Sequence, residues 1–176
     1  MESKASAKKH LINNGVILGI ISVLLGATMY ALDLSLQPPW YFGVIGFAIN
    51  IVIVVMAIKA FKADNNGFLK LAEALKIGLG VALIASIIGV VWTLIQTQVL
   101  MPDYAEQMVE VQRAAMIEAQ PNMTESQMEQ ALEFGSKFAS PLFTIPMQII
   151  AGLFFGFIIS LIAGLVMKHE NPHADA

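Results

Sequence analysis

Apolar positions along this chain fall into four long runs, and what lies between the runs is short except in one place. The first run covers roughly residues 11–36 and the second 40–60. The third covers 75–100 and the fourth 141–167. Each reaches the ~20 apolar residues that a helix needs to cross a bilayer core. The pattern therefore predicts an all-α integral membrane four-helix bundle. A signal peptide is the competing reading of the first run. That run is too long, because a signal core spans only about 7–15 residues.

Residues 1–10 are polar and basic and are expected to be a disordered tail. Asp33 to Pro39 is a tight turn, and its proline pair starts the second helix, where a missing N–H costs nothing. Trp40, Tyr41 and Phe42, with Tyr30, read as an interfacial aromatic belt. Residues 61–76 read as a turn at Asp64-Asn65-Asn66-Gly67 followed by an amphipathic surface helix. Its apolar positions are Phe68, Leu71, Ala72 and Leu75. Residues 168–176 form a short polar tail.

The long exception is 101–140. Tyr104, Met108, Val111 and Ala115 mark one helical face. Pro121-Asn122 breaks it. Thr124 and Gln127 then form a capping box. Met128, Ala131, Leu132, Gly135 and Phe138 mark the face of a second helix, so an extramembrane helical hairpin is expected. Met128 and Leu132 are its candidate interaction residues. Ser140-Pro141 begins the fourth span as cap and first residue.

Charge sets the expected orientation. Lys4, Lys8, Lys9, Lys59, Lys62, Lys70, Lys76 and Lys168 flank one set of span ends, while Arg113 and Lys137 alone serve the other. By the positive-inside rule both termini face the cytoplasm and 101–140 faces outward. That outward stretch carries Asp103, Glu106, Glu110, Glu118, Glu125, Glu129 and Glu133. Net charge is −3, so no basic field points to nucleic acid. Membrane lipid is the expected surrounding, with a second copy or a membrane or periplasmic protein as partner.

Gly152, Gly156, Ser160 and Gly164 recur every four residues, a smooth face for close helix approach. It serves either packing inside the bundle or an interface between copies. Gly78, Ala82 and Ser86 repeat the pattern in the third span, as do Gly15, Gly19, Ser22 and Gly26 in the first. Asn50 lies mid-span and needs a hydrogen-bond partner, because lipid offers none. Gln148 and Thr144 are placed to join Gln96 and Thr93 in a small polar patch.

Chemistry is sparse. The chain has no cysteine, which removes thiolate metal sites and cysteine nucleophiles. No charged residue sits in the middle of a span, where proton relays and ion-coupled transport place them. His169 and His173 have the spacing of two zinc ligands on a helix, but Pro172 lies between them and two ligands fall short of a site. No cofactor or metal is expected, and an enzyme ranks last.

Phe61-Lys62, Gly67-Phe68, Ala74, Lys76 and Gly78 around the basic turn, with Pro102-Asp103-Tyr104 leaving the third span, resemble the bacterial four-span membrane family known as domain-of-unknown-function four-one-nine-nine. The resemblance covers nearly the whole chain. It implies this architecture and a bacterial inner-membrane location, and supplies no catalytic or binding residue. The sequence thus points to a non-enzymatic accessory or interaction protein acting through the acidic hairpin. The alternative is a small-solute transporter or channel subunit that oligomerises to form a pore lined by Asn50 and the Gln/Thr patch.

Overall fold

The computed structural model describes residues 6–169, and within them six α-helices follow one another. These are α1 (Ala7–Ala31), α2 (Trp40–Asp64), α3 (Leu71–Ile95), α4 (Tyr104–Ala119), α5 (Glu125–Ala139) and α6 (Pro141–Met167). A π-helical turn, Gln96–Leu100, continues α3. Four helices are long and apolar enough to cross a membrane: α1, α2, α3 with its π turn, and α6. This is the profile of a multi-pass membrane protein.

The central helix is α3. It lies between α1 and α6, and small residues set both seams. On the α6 side, a Cβ added at Gly152 would strike Ser86, one at Gly156 would lie 2.5 Å from the Ala82 Cβ, and one at Gly164 would lie 2.8 Å from the Ala74 Cβ. A Cβ at Gly78 would strike Ser160. Each step of four up α6 thus meets a step of four down α3, so the two helices are antiparallel. On the α1 side, Gly15 faces Ile84 and Gly19 faces Ile88, so α1 and α3 run parallel. The Gly152, Gly156, Ser160 and Gly164 ladder is therefore spent inside one chain. Gly156, Ser160 and Gly164 are buried against α3, and Gly152 is half-buried.

Helix ends differ from the sequence expectation where caps intervene. α1 stops at Ala31, five residues before the expected end. Asp33 takes a left-handed conformation (φ 55°), Asp33 N donates to Tyr30 O, and Leu34 N donates to Met29 O. That pair of bonds is a Schellman cap, which satisfies carbonyls the helix would otherwise leave open. α2 runs on to Asp64 and ends similarly, with Asn66 at φ 54° and Gly67 N donating to Lys62 O. At its start α1 takes in Ala7–His10, the last four residues of the expected tail. Residues 1–5 and 170–176, including His173, lie outside the described residues.

Of the expected amphipathic loop at 61–76, residues 61–64 close α2 and the surface helix forms the first turns of α3 from Leu71. Its buried positions are Ala74, Ile77 and Gly78 rather than Leu71, Ala72 and Leu75. Ahead of it, Leu69 and His169 exchange two backbone hydrogen bonds, Leu69 N to His169 O at 2.8 Å and His169 N to Leu69 O at 3.0 Å. This ties the start of α3 to the end of α6. Around that tie, Lys62 Nζ donates to Met167 O at 2.8 Å, capping an open carbonyl at the C-terminus of α6. Phe68 stacks on His169. His10 Nε2 donates to Asp64 Oδ2 at 3.1 Å, and the His10 ring meets Phe61 edge-on. Phe61 and Leu69 are buried at the centre of this clasp.

Candidate functional site

At the opposite end of the bundle the spans part around a cavity of about 280 Å³. The end of α1 contributes Met29, and Ser35 and Pro38 follow in the turn after it. Thr93, Gln96, Thr97 and Gln98 come from α3 and its π turn, Tyr104 and Ala105 from α4, and Pro141, Thr144 and Ile145 from α6. The local sequence explains the opening. A π turn widens the helix by one residue per turn and re-aims the side chains after it. Pro102 then ends that helix, since it has no N–H to continue the ladder. Thr93 meets the cavity from α3, and Gln96, Thr97 and Gln98 meet it from the π turn.

Hydrogen bonds fix part of this wall. Gln96 Nε2 donates to Ser35 Oγ at 2.8 Å, which locks the π turn to the loop after α1. Thr93 Oγ1 reaches Gln148 Oε1 at 3.2 Å and Gly89 O at 3.1 Å. Thr97 Oγ1 donates to Thr93 O, and Thr144 Oγ1 donates to Ser140 O. The wall carries amides, hydroxyls and one phenol, and no side chain that is charged at neutral pH. Burial pushes the Tyr104 phenol above its ordinary value near 10, so it stays protonated and can donate.

Gln96, Gln148, Thr93 and Thr144 thus come together at one end of the bundle, Gln148 through its bond to Thr93. Asn50 does not join them. It sits in α2 away from the cavity, and among the described residues its buried Oδ1 has no donor. Trp92 Nε1 is likewise buried without a partner, beside Gly26. Within one chain, Asn50 and the Gln/Thr patch lie apart.

α4 and α5 follow the cavity and touch each other, with Gln112 lying against Gly135. The Thr124–Gln127 capping box is present, Thr124 N to Gln127 Oε1 at 3.0 Å and Gln127 N to Thr124 Oγ1 at 3.4 Å. All seven carboxylates on this segment are exposed. Lys137 pairs with Glu133 at 3.1 Å, both ends open to solvent. Among the described residues no group of three His, Cys, Asp or Glu is placed to hold a metal. Leu132 is buried and Met128 half-buried. The exposed apolar side chains of α5 are instead Phe134 and Phe138.

Residues 13–169 match the family described as protein of unknown function (DUF4199). The chain belongs to the DUF4199 family. No curated protein and no solved structure matches it. In this DUF4199 protein the residues around the basic turn that carry the family likeness are structural, while Pro102 and Tyr104 line the cavity. Phe61 and Lys62 belong to the clasp, Phe68 stacks on His169, and Ala74 and Gly78 are seam positions against Gly164 and Ser160. The π turn and the Trp92–Gly26 contact have no counterpart in the periodicity of the sequence. The glycine at 26 is the sole signal that could have pointed to the second.

Proposed function

We propose that this protein is a non-enzymatic accessory protein of the bacterial inner membrane, with both termini cytoplasmic. On this reading α4 and α5 form an outward-facing helical hairpin that meets a membrane or periplasmic protein carrying a basic surface. The observation that carries the reading is the condition of the acidic residues. Seven carboxylates are exposed, they do not converge on a point, and Arg113 and Lys137 alone offset them. Such a surface attracts a cationic partner over a Debye length and sets its orientation. The orientation is supported by Lys8, Lys9, Lys59, Lys62, Lys70, Lys76 and Lys168, which cluster around the clasp at the other end.

The test compares the intact chain with Glu106→Gln/Glu110→Gln/Glu118→Gln in crosslinked membranes at low and high salt. The reading expects a specific partner with the intact chain, weakened by salt and lost with the variant. The same captured set from both proteins at both salts would contradict it.

The cavity favours a second reading, a role in handling a small uncharged solute. Its wall belongs to a single chain, so no oligomeric pore is required. Vesicles containing the protein should then shrink and recover faster under a glycerol gradient than empty ones, and Gln96→Leu should slow them. Equal rates with and without protein would remove this reading.

A further inference from the structure

We propose that α5 lies along the membrane surface, with Phe134 and Phe138 sunk into the lipid headgroup region and its carboxylates turned to water. The proposal rests on the four helices crossing the membrane and not on the identity of any protein partner.

The first observation is the division of α5 by side-chain chemistry. Glu125, Glu129 and Glu133 recur every four residues along one exposed strip. Phe134 and Phe138, also four apart, form another. At 3.6 residues per turn the step from Glu129 to Phe134 is roughly 140° round the helix. Leu132 is buried between the two strips' far sides, so α4 and the bundle do not cover the phenylalanines. Phe134 remains 64 % exposed. A large ring left that open on a helix with a charged opposite side is the pattern of an interfacial helix.

The second observation is continuity with the surface that lipid must cover. A single residue, Ser140, separates α5 from α6. The Phe138 ring packs edge-on against Phe143 in the first turns of α6, centroids 4.6 Å apart, and Phe134 packs on Phe138 at 4.8 Å. Leu142 beside them is 88 % exposed, and the strip continues down α6 through Met147, Ile150 and Phe154. These contacts act as a depth gauge. With 27 residues, α6 is about 40 Å long, against a hydrocarbon core of about 30 Å. Its first turns therefore stand at headgroup level, where aromatic rings concentrate. Phe138 touches Phe143 and so shares that depth, and Phe134 lies one helical turn further along. A protein partner would need to reach the same rings through the headgroups.

The chain has no cysteine, so single nitroxide labels can be placed without background. Labels go at Phe134→Cys, at Glu129→Cys and, as a mid-span reference, at Ile150→Cys, in liposomes of phosphatidylethanolamine and phosphatidylglycerol. Collision with oxygen reports lipid and collision with a water-soluble nickel chelate reports solvent. The proposal expects a ratio of oxygen to nickel accessibility several-fold higher at 134 than at 129, and below that at 150. Equal ratios at 134 and 129 would overturn it. So would a label at 134 shielded from both reagents, or spin–spin broadening at 134, which would assign the phenylalanines to a protein or to a second copy. A solvent-like ratio at 150 would overturn the spanning assignment of α6 and this proposal with it.

Discussion

Gly78 of α3 and Ser160 of α6 lie so close that a Cβ at position 78 would overlap the serine side chain. Ser160 turns its hydroxyl back to Phe157 O at 3.1 Å, so the contact is steric and not a hydrogen bond across the seam. In a bilayer, lipid tails are as apolar as leucine, and close packing of small residues supplies much of what holds helices together.

The first prediction follows from that contact. Gly78→Val or Gly156→Val should destabilise the bundle by about 1–3 kcal/mol, the usual cost of overpacking. Gly43→Ala, whose Cβ meets nothing, should be neutral or mildly stabilising. Unfolding in mixed micelles with increasing SDS would rank the three, and a Gly78→Val variant as stable as Gly43→Ala would contradict the seam.

Thr93 and Gln148 give a coupling. Thr93→Val strands the Gln148 amide, Gln148→Leu leaves the Thr93 hydroxyl on Gly89 O, and the double variant removes both side-chain partners. A double-mutant cycle should return about 0.6–1.7 kcal/mol of interaction, the range for such bonds in membrane bundles. A coupling of zero would mean the bond at 3.2 Å does not form in lipid.

Lys62 should matter through its head group. Lys62→Met removes the bond to Met167 O and the positive charge at the C-terminus of α6, a loss of about 0.3–1 kcal/mol. Lys62→Arg should keep most of that stability. Equal melting temperatures for Lys62→Met and the parent chain would show the carbonyl finds another donor.

Tyr104 carries a pH dependence. Its folded-state pKa lies above the unfolded value near 10, so the native state holds its proton longer. The stability linked to its burial is intact below pH 10 and is lost as pH climbs through the folded value. Phenolate absorbance of the parent chain minus that of Tyr104→Phe should therefore rise later than that of a free tyrosine. A difference curve centred at 10 would contradict the burial.

The spans were readable because four apolar runs of sufficient length admit few other folds, and the Thr124–Gln127 cap because its spacing is tied to one geometry. The small-residue ladders were visible too, but not their partners. Periodicity locates a face and cannot say which helix meets it, so Gly156 could as well have faced a second copy. The clasp was hidden for a different reason. His10 with Asp64, and Lys62 with Met167, are joined across 54 and 105 residues by single bonds that leave no periodic trace. The π turn was hidden because one extra residue per turn looks like ordinary helix in a run of Gln and Thr. Asn50 was expected to bond across helices on the principle that lipid leaves no amide unpaired, and its buried Oδ1 meets no donor among the described residues.

The most direct test of the account is the sidedness of α5 relative to the clasp. Ser126 is exposed at the start of α5, and Ala63 is exposed in the last turn of α2. Ala63 is a better site than Asn66, whose left-handed backbone (φ 54°) a cysteine would adopt only under strain. Single cysteines at these positions would be treated with a membrane-impermeant maleimide in intact spheroplasts. The account predicts labelling of Ser126→Cys, and labelling of Ala63→Cys only after lysis. Labelling of Ala63→Cys in intact spheroplasts, with Ser126→Cys protected, would contradict it.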